Sequence, residues 1–338
     1  MQIHENYPLK ALNTFGIAAN ARYYVDIRSM EELHELIDSD IFKNSERLIL
    51  GGGSNMLFMG DVQKLVIDIT IPGKKVLSET DEFVEIEVGA GENWHEFVQY
   101  CVEHDYRGVE NLALIPGTVG AAPIQNIGAY GCELKETVEC VRGIDISTNT
   151  FKEFCNLDCD FGYRTSIFKK KMKNDFIITS VVFKLFKNKE PNASYKDVSQ
   201  ELEKMGITQP KTKDIFDAVV SVRTRKLPDP KVTGNAGSFF KNPYIPKEKY
   251  EALKADYPEI PGYPIDDMQI KVPAAWLIEQ CGWKGKRFGD AGVHPNQALV
   301  IVNYGNASGQ ELVDLSKKIQ ASVAEKFGIE LEPEVWVI

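Results

Sequence analysis

Two glycine-rich runs limit most strongly what this chain can fold into. Residues 50–57 read LGGGSNML, directly after the apolar stretch Arg47–Leu50, and residues 115–131 read IPGTVGAAPIQNIGAYG. Backbone N–H groups reach phosphate oxygens closely only where side chains are absent, so a glycine run after a strand is a candidate phosphate loop. Gly51-Gly52-Gly53 is not a P-loop, because no Lys-Ser/Thr follows at the required spacing. It is not a Rossmann fingerprint either, because no third glycine opens a following helix, and Gly89-Ala90-Gly91 fails in the same way. The second run carries four glycines, three alanines and two stiffening prolines, with Gln125 and Asn126 as amide donors and acceptors. Such a run suits a large planar or phosphorylated ligand, although small residues also occur at tight sheet corners. Two loops of this kind favour an extended dinucleotide lying between two domains.

The chain has 338 residues, enough for two or three domains. Hydrophobic residues make up 43% and charged residues 26%, the balance of a soluble globular protein. No apolar run reaches the roughly 18 residues needed to span a bilayer, and the start MQIHENYPLK shows no secretory signal, so a cytoplasmic location is expected. The six cysteines show no zinc spacing and read as reduced thiols, and the five histidines show no metal-ligand spacing, so no metal is expected. A net charge of −10 argues against a general nucleic-acid binder. Locally, Val222–Asn242 carries Arg223, Arg225, Lys226, Lys231 and Lys241 against Asp229 alone. That patch is either a solvated face or a seat for a small polyanion. The run FKKKMK at Phe168–Lys173 reads as a solvated loop.

Periodicity predicts strands at Tyr23–Ile27, Arg47–Leu50, Leu65–Ile69, Phe83–Val88, Glu139–Ile146, Thr150–Phe154 and Phe176–Phe186. Helices are predicted at Met30–Ile37, capped by Ser29, and at Trp94–His104, with Trp94, Phe97, Val98 and Cys101 on one face. Two polar-faced helices follow near Asp197–Met205 and Asp214–Thr224. The Pro- and Gly-rich LPDPKVTGNAG reads as a domain crossing into a smaller α/β unit that runs to about Asn306. An amphipathic helix at Glu311–Phe327 and a short strand EVWVI close the chain.

GGGSN, IPGTVGAAPIQNIGAYG, GYRTS, RKLPDPKVTGNAGSFFKNP, GWKG, HPNQALVIVN and LEPEV occur in this order across nearly the whole chain. Together they resemble the UDP-N-acetylenolpyruvoylglucosamine reductases, and the segment around Tyr195 resembles the subtype with an inserted tyrosine loop. The resemblance implies an α+β protein: a two-domain non-Rossmann FAD-binding fold plus a smaller α/β substrate domain. Its expected parts are FAD-binding subdomains at 1–72 with 317–338 and at 73–215, and a substrate domain at 216–316. It implies FAD as cofactor and NADPH and UDP-N-acetylglucosamine enolpyruvate as partners, with no nucleic acid or membrane, a monomeric state, and a place in cell-wall precursor synthesis. Trp336 departs from the pattern, standing where an arginine is expected.

In the implied reaction NADPH reduces FAD, and the flavin then passes hydride to the enolpyruvyl ether. Charge develops beside the carboxylate, so the site needs a cationic clamp and an acid. The resemblance assigns Ser238 as proton donor at the α-carbon, Arg164 as partner of the substrate carboxylate, and Glu334 as the residue that orients groups or assists the enol. Glu334 is preferred to Glu332 because the motif places the acid directly before Val335. The FAD contacts are expected at Gly51, Gly52, Gly53, Ser54, Asn55, Pro116, Gly117, Gly120, Ala121, Gln125, Asn126 and Gly128. The substrate contacts are expected at Tyr130, Tyr195, Lys226, Asn242, Lys284 and Gln297, with Lys226 and Tyr195 on the diphosphate. Two other readings compete with this one, the first of which shares the loops around Gly52 and Gly117. One is an FAD-dependent oxidase of a small alcohol or sugar; the other is a non-catalytic nucleotide-sugar binding protein.

Overall fold

The β-branched and leucine-rich Arg47–Leu50 forms a strand that pairs in parallel with Val62–Ile69, Leu50 standing opposite Asp68. These elements come from a computed structural model that describes residues 1–338, in which the chain divides into two units. The first comprises Met1–Tyr7, Ala21–Gly53 and Gln63–Arg225; the second comprises Pro8–Asn20, Ser54–Val62 and Lys226–Ile338.

The first unit is built on two sheets. One is ordered Ile3–Pro8, Asn20–Ile27, Val62–Ile69, Arg47–Leu50. The other is antiparallel, ordered Thr150–Cys155, Val138–Asp145, Phe176–Phe186, Phe83–Gly89, Lys74–Glu79. The central strand Phe176–Phe186 is buried almost along its whole length, as a strand covered on both faces must be. Helix Met30–Asp38 starts where the Ser29 side chain accepts from the Glu32 N–H, and it buries Leu33, Leu36 and Ile37. Helix Trp94–Glu103 starts at Asn93 and buries the four predicted residues Trp94, Phe97, Val98 and Cys101. Phe97 lies 4.7 Å from the Phe183 ring, so helix and sheet share one aromatic core. The edge strand Lys74–Glu79 has no buried residue, so it leaves no period-two signal in the sequence.

A buried acid in the first sheet makes stability depend on pH. Asp68 is 9% exposed and accepts a 3.0 Å hydrogen bond from the Tyr24 hydroxyl. Burial pushes its carboxyl up to about 6 from 3.8; the Tyr24 bond opposes this, and the negative Asp26 adds to it. The folded value is the higher one, so the contribution is complete below about pH 4 and is lost as pH rises through 6. The displacement corresponds to about 3 kcal/mol. Asp68→Asn keeps an acceptor for Tyr24 and is expected to raise Tm at pH 7.5. The gain over wild type should grow between pH 4 and 6 in a calorimetric series; a gain independent of pH contradicts this account.

In the second unit one sheet is ordered Gly234–Asn235, Ile301–Asn303, Ala291–Val293, Arg287–Phe288. A second is ordered Tyr244–Pro246, Gln269–Lys271, Tyr263–Pro264. Helices Lys247–Asp256, Ala274–Gln280 and Gly309–Phe327 accompany them. The last starts at a reciprocal capping box of Ser308 and Glu311 and stops at Gly328, whose φ of 62° ends the helix. Of the expected closing strand only Trp336–Val337 is regular; it pairs in parallel with Met56–Leu57. Helix Lys247–Asp256 buries only Tyr250, which explains its weak sequence signal. No helix is long and apolar enough to cross a membrane.

Candidate functional site

The two glycine loops, 65 residues apart in sequence, meet backbone to backbone in the first unit. A Cβ added at Gly52 would lie 2.7 Å from the Gly117 Cα, and one at Gly51 would lie 2.8 Å from the Thr118 Oγ1. Gly53 and Gly117 take φ of 56° and 117°, which favours glycine. The second loop is fastened along one side. The Gly117 carbonyl accepts from the Trp94 N–H at 3.1 Å, the Glu92 carbonyl from Val119 at 2.9 Å and the Ala90 carbonyl from Gly120 at 2.9 Å. The Trp94 indole N–H also donates to the Leu112 carbonyl at 2.9 Å. Trp94 therefore holds both the loop at Gly117 and the segment that leads into it at Leu112. The bare backbone of Gly51, Gly52 and Gly117 lets the two loops close on each other, and Gly120 lets the second loop close on Ala90, its added Cβ lying 2.5 Å from the Ala90 Cβ. Gly89 and Gly91 serve another purpose: their added Cβ atoms would lie 2.4 Å from the Ile71 O and 2.2 Å from the Thr70 C, so they let strands approach.

Within the second loop the amides differ. Asn126 is fully buried at φ 45°; its amide donates to Glu133 and to the Gly162 carbonyl, and its oxygen accepts from Lys135 N–H. That side chain is spent on holding the loop. Gln125 is part-buried and accepts from the Lys169 ammonium at 3.4 Å. Lys169 also reaches the Arg164 carbonyl at 3.3 Å, whereas Lys170 pairs with Asp160 on the surface. The basic run is thus mostly solvated, but one of its members braces residues expected at the site.

Arg164 and Tyr130 sit at tight turns in backbone conformations that side chains avoid. Gly162 and Thr165 exchange hydrogen bonds of 3.0 and 3.3 Å, which places Arg164 at φ 54° in a position where glycine or asparagine is usual. Its guanidinium donates to the Gly128 carbonyl at 2.6 Å and to the Asn126 carbonyl at 3.4 Å. Tyr130 and Gly131, at φ 48° and 81°, turn the hairpin Gly128–Ala129 with Cys132–Glu133. Asn-Gly is the relaxed choice for such a turn. A tyrosine there costs about 1–2 kcal/mol, and strain of this kind concentrates where a side chain has a task. The Tyr130 ring meets Tyr195 edge-on at 5.3 Å. Tyr195 precedes helix Lys196–Lys204 and is 44% exposed.

The second unit brings Ser238 and Glu334 together across 96 residues of sequence. The Glu334 N–H donates to the carbonyl of Phe239, the residue after Ser238, at 2.8 Å, and Phe240 bridges to Pro333. Ser238 is exposed between Gly237, at φ 69°, and the buried, edge-to-face Phe239 and Phe240. Asn55 holds the same strand: its amide donates to the Glu334 carbonyl at 3.2 Å, and its own carbonyl accepts from Trp336 N–H at 3.0 Å. Glu334 is part-buried, whereas Glu332 is exposed and paired with Lys241. Gln297 accepts from the Leu299 N–H, and the Leu299 carbonyl accepts from the Phe239 N–H at 2.8 Å, which ties that loop to the serine segment. Asn242 caps helix Ala274–Gln280 by accepting from Ala274 N–H at 2.9 Å. Lys284 pairs with Glu279 at 2.9 Å, a surface ion pair. Lys226 is the last residue of helix Thr212–Lys226. Of the basic patch, Arg225 pairs with Glu201 and Lys241 with Glu332.

The model of an FAD binding domain matches residues 21–150, which contain both glycine loops. The model of the UDP-N-acetylenolpyruvoylglucosamine reductase C-terminal domain matches residues 229–338, which contain Ser238 and Glu334. UDP-N-acetylenolpyruvoylglucosamine reductase of Flavobacterium johnsoniae is 51% identical over 100% of both chains, and that of Amoebophilus asiaticus is 48% identical over 100% of both. The crystal structure of UDP-N-acetylenolpyruvylglucosamine reductase from Thermus caldophilus superposes with a TM-score of 0.66 at 23% identity, covering 99% of this chain and 98% of that one. It supports the same α+β FAD-binding fold with a smaller α/β domain. Full-length identity of this order, with both domain models in place, shows that the chain belongs to the UDP-N-acetylenolpyruvoylglucosamine reductase family.

Proposed function

We propose that the chain reduces the enolpyruvyl ether of UDP-N-acetylglucosamine to UDP-N-acetylmuramate with NADPH through bound FAD, as a cytoplasmic, monomeric enzyme of peptidoglycan precursor synthesis. The observation that carries this reading is the 51% identity to the Flavobacterium johnsoniae reductase over the whole of both chains. Gly51, Gly52, Gly53, Pro116, Gly117, Gly120, Ala121 and Gly128 would hold FAD by backbone, Gln125 by its amide, and Ser54 with Asn55 beside them. Asn126 acts by keeping the loop in shape. When bound, FAD supplies the two-electron chemistry that links NADPH to the enol ether.

The remaining tasks fall to side chains. Arg164 pairs with the substrate carboxylate and holds the charge that develops there, a task suited to a planar fork of donors. Ser238 gives a proton to the α-carbon, which a hydroxyl can do because the developing carbanion is strongly basic. Glu334 orients groups beside Ser238. Tyr195 and Lys226 reach the diphosphate, and Tyr130, Asn242, Lys284 and Gln297 line the nucleotide and sugar. The inserted-loop subtype and the division into 1–72 with 317–338, 73–215 and 216–316 belong to the same proposal. The purified protein is expected to be yellow and to bleach with NADPH without oxygen. Colour should return under those conditions only when UDP-N-acetylglucosamine enolpyruvate is added. Oxygen consumption with a small alcohol and no NADPH requirement would instead mark an oxidase, and a colourless protein that binds UDP-sugars would mark a binding protein.

A further inference from the structure

Arg223 lies on helix Thr212–Lys226 between the buried Val219 and Val222 and the exposed Thr224. Its Nε is sealed from solvent and has no hydrogen-bond partner. The groups that act on this guanidinium are the Tyr130 hydroxyl, which hydrogen-bonds to it, and the like-charged Arg164. Burial pulls its pKa down, and Arg164 pulls it further. No carboxylate is among the groups that act on it. Glu201 is held by Arg225, Lys204 and Ser221, and Asp197 acts on Tyr130 and Arg225. His95 is near enough to feel Arg223, but its Nδ1 accepts from the Leu114 N–H, so it faces the cluster as a neutral ring. A water could satisfy the idle Nε, yet it would not neutralise the charge. A half-buried cation with a sealed Nε and no carboxylate acting on it is costly, and the like charge of Arg164 adds to that cost. Both costs are offset when an anion arrives between them.

We propose that Arg223 is the second arm of the clamp on the substrate carboxylate, meeting the enolpyruvyl group together with Arg164, with the strained Tyr130 turn holding its hydroxyl against the Arg223 guanidinium. The proposal rests on the reading that Arg164 takes that carboxylate. Binding to the oxidised, FAD-loaded enzyme without NADPH separates the two. Arg223→Met is expected to weaken UDP-N-acetylglucosamine enolpyruvate by about 10- to 100-fold, the loss of a buried charge-assisted contact. It should change affinity for UDP-N-acetylglucosamine, which lacks the carboxylate, less than about 3-fold. Arg164→Met should discriminate in the same way. If Arg164→Met discriminates and Arg223→Met does not, Arg223 is no part of the clamp and the Arg164 reading stands; if neither does, both fall. Thermal unfolding without substrate adds a readout that a structural arginine would move the other way. Removing an uncompensated cation should leave Arg223→Met at least as stable as wild type, and a marked fall in Tm overturns the proposal.

Discussion

Ser238→Ala is expected to purify as a yellow protein of wild-type stability, to be bleached by NADPH at the wild-type rate, and to lose turnover of the enol ether by about 10²- to 10⁴-fold. The separation of effects follows from how the residue is held. Its backbone is fixed by neighbours rather than by its own side chain. Gly237 N–H donates to the Asn235 side chain at 2.9 Å, and Phe239 and Phe240 anchor the chain on the other side at 1% exposure each. Removing one exposed hydroxyl takes nothing from that core, so stability should change by less than about 0.5 kcal/mol. A serine is a poor acid in water, and the role proposed for Ser238 depends on short range to a strongly basic carbon; alanine leaves no donor in its place. Glu334, whose backbone N–H is bonded to the Phe239 carbonyl, is an acidic neighbour of this segment, and the doubly substituted protein tests whether it supplies the residual rate. The decisive measurement is the return of colour when the enol ether is added to the NADPH-bleached variant. A return at the normal rate removes Ser238 from the chemistry.

How far these tasks could be read from sequence depended on the kind of signal each residue leaves. The glycine loops were legible because bare backbone after a strand has few uses, and Leu50 followed by three glycines left little else for Gly51–Gly53. That the loops face each other was not legible, since nothing local in Gly52 or Gly117 names the other. Ser238 and Glu334 came from resemblance; their proximity depends on two backbone bonds, Glu334 N–H to the Phe239 carbonyl and Lys241 N–H to the Glu332 carbonyl, between segments far apart in sequence. The left-handed turns at Tyr130 and Arg164 were hidden because neither shows the Asn-Gly or Gly signature that such turns announce. Arg223 was read as one of five charges in a basic patch. The helical period that buries Val219 and Val222 was the available clue, for it carries residue 223 toward the same side. Lys169 was likewise submerged in the run FKKKMK, where only one of four lysines turns inward.

Gly52→Ala carries the second large effect, and it acts on the cofactor seat rather than on the chemistry. The new methyl would stand 2.7 Å from the Gly117 Cα and 3.2 Å from its carbonyl carbon, so backbone and not a flexible side chain must give way. Gly117 cannot yield cheaply. Its carbonyl holds the Trp94 N–H at 3.1 Å. Retreat would therefore lift Trp94, which is 1% exposed and tied again to the Leu112 carbonyl. Overpacking of this kind costs about 1–3 kcal/mol. Spent on the loops proposed to seat FAD, it should lower cofactor affinity by about 10- to 100-fold, each 1.4 kcal/mol being about tenfold. The variant is expected to emerge with little flavin per chain and to regain colour and activity only in excess FAD. Gly60→Ala is the control, because Gly60 is exposed and nothing lies within 4 Å of its added Cβ; it should keep full flavin content. Were Gly52→Ala to purify as yellow as that control, the meeting of the two loops would not be what makes the seat, and the cofactor would have to be held by groups other than their backbone.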